Sequence, residues 1–481
     1  MRNAWHLVIC CRNTQHRTEV IYMADNKNGD WLKQLFNEVM RPPKWMKEPK
    51  RPGGGGAKKP NGDGKKAEAD VSISPKKRQP PGWWSWSQSD GVPKARRRKR
   101  ERQSHRSPQQ VRKTKPAVKK ERLSNSQGRL SQSDLGSALP GSESGLQAQI
   151  RRHGFSPSVC RSYGITPTKV EPFGPVLRLR TQQGLVALKK SYLQPAHISF
   201  LHQAFLHLEQ KKFTRFSPFL LTPDGKPYAT IGGDTYYATR WIRGQEVDFR
   251  SMPQLALTAR TLADFHVASR GFEPDGYAPP PIFDMVDRFK DRRDELAEWK
   301  RRAAIKSRPD DIDKIYLKHA DHYIDQADQA LAMLRRPQVR SQLLFEEDDP
   351  SLLHLDLTPY NMIYTPNNQV ALIDLDFAAF GPRTLDLAHL MRRGLQRQDW
   401  DEAVARHVLV NYNAAASLQP AEYQILSGLL RFPHRFWRIG YQHYDLGHDP
   451  NHLGYFQLAE AEEQKRLAFL DKYDKQISRV W

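Results

Sequence analysis

The stretch LLHLDLTPYNMIYTPNNQVALIDLD, residues 352–376, decides the reading of this chain. Two short apolar runs, Met362–Thr365 and Val370–Leu375, flank Pro366–Gln369, and Asn367-Asn368 suits a chain reversal, so the segment predicts a β-hairpin. If Thr365 faces Val370, counting outward sets Asn361 opposite Asp374 at the open end. An amide oxygen and a carboxylate are hard ligands of the kind Mg²⁺ accepts when water and phosphate fill the rest of its shell. Asp356, five residues before Asn361 on the entering loop, is placed to take the proton of an attacking hydroxyl. A positioned base beside a metal held by an Asn and an Asp is the equipment of phosphoryl transfer.

Working toward the N-terminus, Val176–Arg180 and Leu185–Lys189 bracket Thr181–Gly184 and read as a hairpin. His197–Lys211 is helical, with Phe200, Leu201, Phe205 and Leu208 on one face. Tyr228–Ile231 and Thr235–Ile242 form a second strand pair around Gly232-Gly233-Asp234. From Leu255 the pattern turns helical, with charged helices near 284–304 and 311–335 and apolar ones near 403–415 and 420–445. A β-rich segment followed by a helix-rich one is the outline of a kinase-type fold. It divides the ordered chain into a small lobe, 146–242, and a large lobe, 243–475.

The remaining N-terminal part differs in kind. Residues 1–150 hold 32 Lys and Arg against 13 Asp and Glu, leaving 44 against 40 for residues 151–481, so 19 of the net 23 positive charges belong to residues 1–150 and only 4 to the rest. Residues 1–48 could hold one short helix, with Trp31, Leu32, Leu35, Phe36 and Met40 at helical spacing. Residues 49–145, rich in Pro, Gly, Ser and Lys, cannot bury enough apolar surface to offset chain entropy and are expected to be disordered. Their basic run Lys94–Arg102 suits polyanionic surfaces. Charge alone supplies only non-specific attraction, so specific nucleic-acid recognition ranks last. Trp83, Trp84 and Trp86 stand as a contact site or as a solvated cluster. Three cysteines, Cys10, Cys11 and Cys160, make no disulfide or zinc pattern. No apolar run approaches the roughly 18 residues of a membrane span, and Trp5–Cys11 lacks the flanks of a signal peptide. Met1 and Met23 are both plausible starts.

His354, Asp356 and Asn361, followed by Ile373-Asp374-Leu375-Asp376, resemble the phosphotransferase motif of the aminoglycoside and choline phosphotransferase superfamily, and more narrowly the CotS family of spore coat proteins. Further matching stretches are Ala187–Lys189, Pro223–Tyr228, Trp241–Gly244, Leu262–His266, Asp386 and the aromatic run Phe432–Tyr444. The resemblance covers about residues 150–475. It implies an α+β, bilobal, protein-kinase-like fold of aminoglycoside phosphotransferase type. It also implies ATP and Mg²⁺ as cofactors, Asp356 as catalytic base, and Asn361 and Asp374 as metal ligands. Lys189 would contact the nucleotide phosphates, with Lys190 as a competitor for that role. The linker Arg240–Arg243 would meet adenine through Trp241 and Ile242, although Trp241 is as suited to packing between lobes. His354 would orient the catalytic loop, Asp376 would be a second metal ligand or added charge near the first, and Asp386 would tie down backbone. Two departures stand out: Leu355 replaces the usual glycine of the His-Gly-Asp signature, and only Gly174 and Gly184 flank the first strands, so no glycine-rich cradle covers the phosphates.

Two functions follow. One is an ATP-dependent phosphotransferase acting on a hydroxyl or amine of a small molecule, polysaccharide or coat protein. The other is a scaffold for spore coat assembly that keeps the fold and binds partners through the basic tail. The resemblance places either one first in the mother-cell cytoplasm and then in the coat.

Overall fold

The computed structural model describes residues 145–447 and 452–480. The expected N-terminal helix, the basic run and the Trp83, Trp84, Trp86 cluster lie outside them. The small lobe opens with helices α1 (Gly145–Arg152) and α2 (Ser158–Ser162). Five strands follow: β1 (Lys169–Phe173), β2 (Val176–Thr181), β3 (Gly184–Ser191), β4 (Ala229–Ile231) and β5 (Asp234–Arg240). They form one antiparallel sheet in the order β1-β2-β3-β5-β4. Alternation along β2 and β3 sends Leu177, Leu179, Val186 and Leu188 to one face, where they pack against Ile150, Val159, Cys160 and Tyr163 of the two helices. Both expected hairpins are present, the second beginning at Ala229 and ending at Arg240; β1 had no clear alternation, since Pro172 and exposed ends interrupt it.

Helix α3 (Pro195–Gln210) joins β3 to β4 but rests on the large lobe. Its buried Phe200 and Phe205 belong to the large hydrophobic core, with Phe200 5.6 Å from Phe272 and Phe205 4.5 Å from Phe216, centroid to centroid. Gln203 and the backbone of Asp275 exchange two hydrogen bonds, of 2.7 and 3.1 Å. The helix is thus attached to the lobe that carries the catalytic loop.

The linker strand β6 (Gln245–Glu246) pairs with β8 (Met362–Tyr364), which pairs with β9 (Val370–Leu372). Gly244 makes this docking possible: its φ is +159°, and an added Cβ would collide with the Tyr364 carbonyl. Around this three-stranded sheet stand α4 (Met252–Ser269), α5 (Met285–Ala304), α6 (Asp311–Leu334) and α7 (Pro337–Asp348). A second pair, β7 (Ser351–Leu353) with β10 (Ala379–Gly381), leads to α8 (Thr384–Arg397), α9 (Glu402–Asn413), α10 (Pro420–Arg431), α11 (His434–Gly440) and α12 (His452–Val480). The single helix expected over 420–445 is broken, because Pro433 offers no N–H to continue the ladder; a π-helical turn, Tyr441–Leu446, closes it. Among the described residues no helix is long and apolar enough to cross a membrane.

Candidate active site

The hairpin of residues 362–372 forms where expected, but one residue out of the expected register. Tyr364, not Thr365, faces Val370, so Asn361 comes opposite Ile373, whose N–H donates to the Asn361 carbonyl over 2.9 Å. The loop is the cause. Thr365 N–H closes on the Gln369 carbonyl at 2.8 Å, and Asn368 takes a left-handed φ of +56°, which Asn tolerates well. The strands also stop at Leu372, freeing Ile373–Asp376 to leave the sheet. Asp374 does so with φ +61°, a left-handed conformation that costs a non-glycine residue about 1–3 kcal/mol and concentrates at functional sites.

Before the hairpin, Leu355 occupies the position where the sequence lacks the usual glycine, and its φ is +63°. Asp386, fully buried in the first turn of α8, holds it there: its carboxylate accepts from His354 N–H at 2.7 Å and Leu355 N–H at 2.9 Å. His266 supports that carboxylate at 3.2 Å and meets the Tyr412 hydroxyl at 2.7 Å, which makes it a satisfied core histidine. His354 Nδ1 accepts from Asp356 N–H at 3.3 Å, so its Nε2–H donates to the Ile373 carbonyl at 3.0 Å. His354 therefore ties the catalytic loop to the strand leading to Asp374. Asp386 and His354 both hydrogen-bond to backbone around the loop.

Asp356 itself is 6% exposed, and Asn361 Nδ2 donates to both its carbonyl (2.9 Å) and its Oδ2 (2.8 Å). Its Oδ1 is buried and accepts no hydrogen bond among the described residues. Burial pushes the Asp356 carboxyl above its ordinary value, against the opposing charge of Arg393. The double use of the Asn361 NH₂ orients that side chain and leaves its amide oxygen uncommitted to Asp356.

Across the cleft, Lys189 and Tyr237 are cross-strand partners on β3 and β5 and point the same way. They converge on one carboxylate. Asp376 Oδ2 accepts from Lys189 Nζ at 2.8 Å and Asp376 Oδ1 from the Tyr237 hydroxyl at 2.7 Å. Lys189 also reaches Asp374 Oδ1 at 2.5 Å. Burial alone would lower the Lys189 pKa, but Asp376 and Asp374 more than offset it and hold the amine protonated, above its ordinary value. Lys190 points to the other face and pairs with Asp234 at 2.6 Å, so of the two lysines only Lys189 reaches Asp374 and Asp376. Asp376, 3% exposed, spends both oxygens on Lys189 and Tyr237, whereas the Asp374 side chain is 40% exposed. Trp241 gives its N–H to the Leu185 carbonyl at 2.9 Å and its ring to Phe173 and to Arg178, whose guanidinium sits 5.1 Å above it. It packs against the small lobe, with Ile242 next to it, half-buried in the linker.

Among the described residues no three His, Cys, Asp or Glu side chains converge as a preformed metal cage. Mg²⁺ is held by one or two protein oxygens and otherwise by phosphate and water. The Asn361 amide oxygen and the exposed Asp374 carboxylate fit that demand.

The sequence reading did not single out α8 beyond Asp386. Its signal was present as spacing, since Asp386, His389 and Arg393 recur at i, i+3 and i+7.

Comparison with known proteins bears on the same region. A family model described as the phosphotransferase enzyme family matches residues 178–427. Spore coat protein S of Bacillus subtilis is 22% identical over 323 residues, 63% of this chain and 88% of that protein. A crystal structure of an aminoglycoside phosphotransferase from Alicyclobacillus acidocaldarius is 32% identical, with a TM-score of 0.62, covering 67% of this chain and 96% of the other. An AMP-bound spectinomycin phosphotransferase aligns at 12% identity and a TM-score of 0.48, over 66% and 97% of the two chains. The bilobal fold with its antiparallel small-lobe sheet is the aminoglycoside phosphotransferase fold, and the protein belongs to the phosphotransferase enzyme family as a member similar to spore coat protein S.

Proposed function

We propose that the protein transfers the γ-phosphate of ATP, with Mg²⁺, to a hydroxyl or amine of its acceptor, with Asp356 as base. The observation that carries this reading is the buried Oδ1 of Asp356, which accepts no hydrogen bond among the described residues, on a carboxylate that Asn361 Nδ2 holds through Oδ2. The acceptor oxygen bonds to the γ-phosphorus as the bond from that phosphorus to the β,γ-bridging oxygen breaks. ADP leaves, and the acceptor proton passes to Asp356 Oδ1. Asn361 fixes the carboxylate through Oδ2, which directs Oδ1 at the acceptor. When bound, Mg²⁺ would supply charge to the phosphate oxygens from the Asn361 and Asp374 side.

Lys189 serves as the phosphate-contacting cation. In protein kinases such a lysine is positioned by a glutamate on the helix that follows the strand. Here α3 has a single acidic residue, Glu209, in its last turn and exposed. Asp376, braced by Tyr237, takes over that positioning role, so we assign it to Lys189 and not to the metal.

The test is thermal unfolding of the full chain with and without saturating Mg-ATP, beside Asp374→Ala. Ligand at a hundredfold over Kd stabilises by about 2.7 kcal/mol, a shift of several degrees that should disappear in the variant. No shift in the wild type sinks the proposal.

A role in the spore coat is a second reading, motivated by the similarity to spore coat protein S. The protein would be made in the mother cell and then join the coat. In a spore-forming host lacking the wild-type copy, Asp356→Asn separates the two roles: normal coats with the variant indicate a scaffold, and defective coats indicate that the chemistry is needed.

A further inference from the structure

The catalytic loop hangs on the first turn of α8, and that turn is seated on a buried carboxyl of α7. Arg383 caps α8, and its backbone N–H donates to Glu346 Oε2 at 3.1 Å. Its side chain goes elsewhere. Nε and one terminal nitrogen each donate to an oxygen of Glu422 on α10 at 2.8 Å, and the same terminal nitrogen reaches the Ser417 carbonyl at 2.6 Å. In the same turn of α8, Asp386 holds the N–H groups of His354 and Leu355. Glu422 is fully buried, and Glu346 and Arg383 are each 5% exposed. Two buried carboxyls thus adjoin one guanidinium, which is committed to Glu422. Among the described residues Glu346 accepts only from the Arg383 N–H and from Gln342 Nε2, both at 3.1 Å and both neutral donors.

A buried carboxylate needs a cation or a full set of donors, and where two carboxyls adjoin one cation, one of them keeps its proton to higher pH. Burial, then the charge of Glu422, push the Glu346 carboxyl up to about 7, against Gln342 and Arg383. The other charged groups of the surrounding helices are committed: Asp386 to the loop and to His266, and Arg270 to Asp349 at 3.8 Å. Tyr412 of α9, with the Arg383 guanidinium 5.9 Å from its ring centre, donates to His266 Nδ1 at 2.7 Å. Arg383 is therefore joined to Asp386 twice, through the helix turn and through Tyr412 and His266. With its proton, Glu346 lies beside the Arg383–Glu422 pair as a neutral group. Without it, a second negative charge competes for the guanidinium, and either the bonds to Glu422 or the seat of α8 must give.

We propose that Glu346 is a positioning residue for the catalytic loop and works in its protonated form: the proton keeps the head of α8 seated, so that Asp386 holds Leu355 in its left-handed conformation, and loss of the proton loosens that hold. This goes beyond the phosphotransferase reading and does not depend on it, since it concerns how the loop is held.

The test is backbone hydrogen exchange of the full chain, read by mass spectrometry on peptides spanning residues 352–361 and corrected for the intrinsic pH dependence of exchange. Opening that frees Glu346 releases its proton, so wild-type protection there should fall about tenfold from about pH 6 to about pH 8. Glu346→Gln, which imitates the protonated group, should show no such fall. Glu422→Gln leaves the guanidinium to Glu346, so the fall should move to lower pH; this variant also serves if Glu346→Gln does not fold. Thermal unfolding gives a second reading. The folded carboxyl ionises above the unfolded one, so its contribution to stability is present below the ordinary glutamate value and is lost as pH rises to about 7. The Tm of Glu346→Gln should therefore gain on wild type across that window and run parallel to it above. Constant wild-type protection, or the same fall in Glu346→Gln, overturns the inference. So does an equal fall in β2 and β3 of the small lobe, which marks global loosening and not a local hold.

Discussion

The two loops at the open end of the catalytic hairpin use their carboxylates in opposite ways. After the hairpin, Asp376 is buried with both oxygens bonded, one to Lys189 and one to Tyr237. Before it, Asp356 is equally buried but has one oxygen bonded and one bare. A buried acceptor without a donor costs about 1–3 kcal/mol, so the fold sustains at Asp356 an expense it avoids at Asp376. The first carboxylate holds structure together across the cleft; the second keeps one oxygen uncommitted among the described residues, as the proposed base requires.

The largest test of that contrast is Asp356→Asn. Removing a general base should lower kcat by about 10²–10⁴. Stability should move the other way. The unfolded carboxyl ionises at its ordinary value and the folded one only at higher pH, so at neutral pH the folded state carries a charge that burial disfavours. Asn lacks that charge and can still accept from Asn361, so Tm at pH 7 should equal or exceed that of wild type. A large fall in Tm would mean that Asp356 is structural and the contrast is false.

Next in size is Asp376→Asn. Loss of a charged partner for Lys189, a bond worth about 1.5–3 kcal/mol, should raise KM for ATP roughly tenfold while leaving the Mg²⁺ concentration at half-maximal rate nearly unchanged. Titrating Mg²⁺ at fixed ATP distinguishes the roles: a strongly increased Mg²⁺ requirement would return Asp376 to the metal shell.

The pH profile sharpens the same point. Since Asp356 must be ionised to act and burial raises its pKa, the acidic limb of kcat/KM should lie above the usual aspartate range. Rates measured from pH 4 upward, under conditions where the chain stays folded, locate it; a limb at the ordinary value would argue against a desolvated base. Last, Tyr237→Phe leaves the buried Asp376 Oδ1 without its donor and should cost about 1–3 kcal/mol of stability, with only a modest rise in KM for ATP and kcat little changed.

The fold was largely legible because its signals are local. The alternation of Val176–Arg180 and Leu185–Lys189, the turn at Gly232-Gly233-Asp234, and the helical periods ending at Ala304 and Leu334 each depend on a few neighbouring residues. Where the reading slipped, a single loop or breaker decided: Asn368 shifted the hairpin register by one residue, and Pro433 split a helix. The short strands β6, β7 and β10 were not legible, since two or three residues gain strand form only by pairing with a distant partner.

The sequence by itself determined the family, the hairpin and the identity of the polar residues around it, because a fixed spacing of His354, Asp356, Asn361 and Asp374 on a hairpin leaves few alternatives. Only the tertiary structure decided how those residues are used. That Lys189 meets Asp376 and that Tyr237 braces it are relations between residues 187 and 139 positions apart. Burial, charge and hydrogen-bond saturation at such junctions arise only when the lobes close on one another, and no local pattern records them.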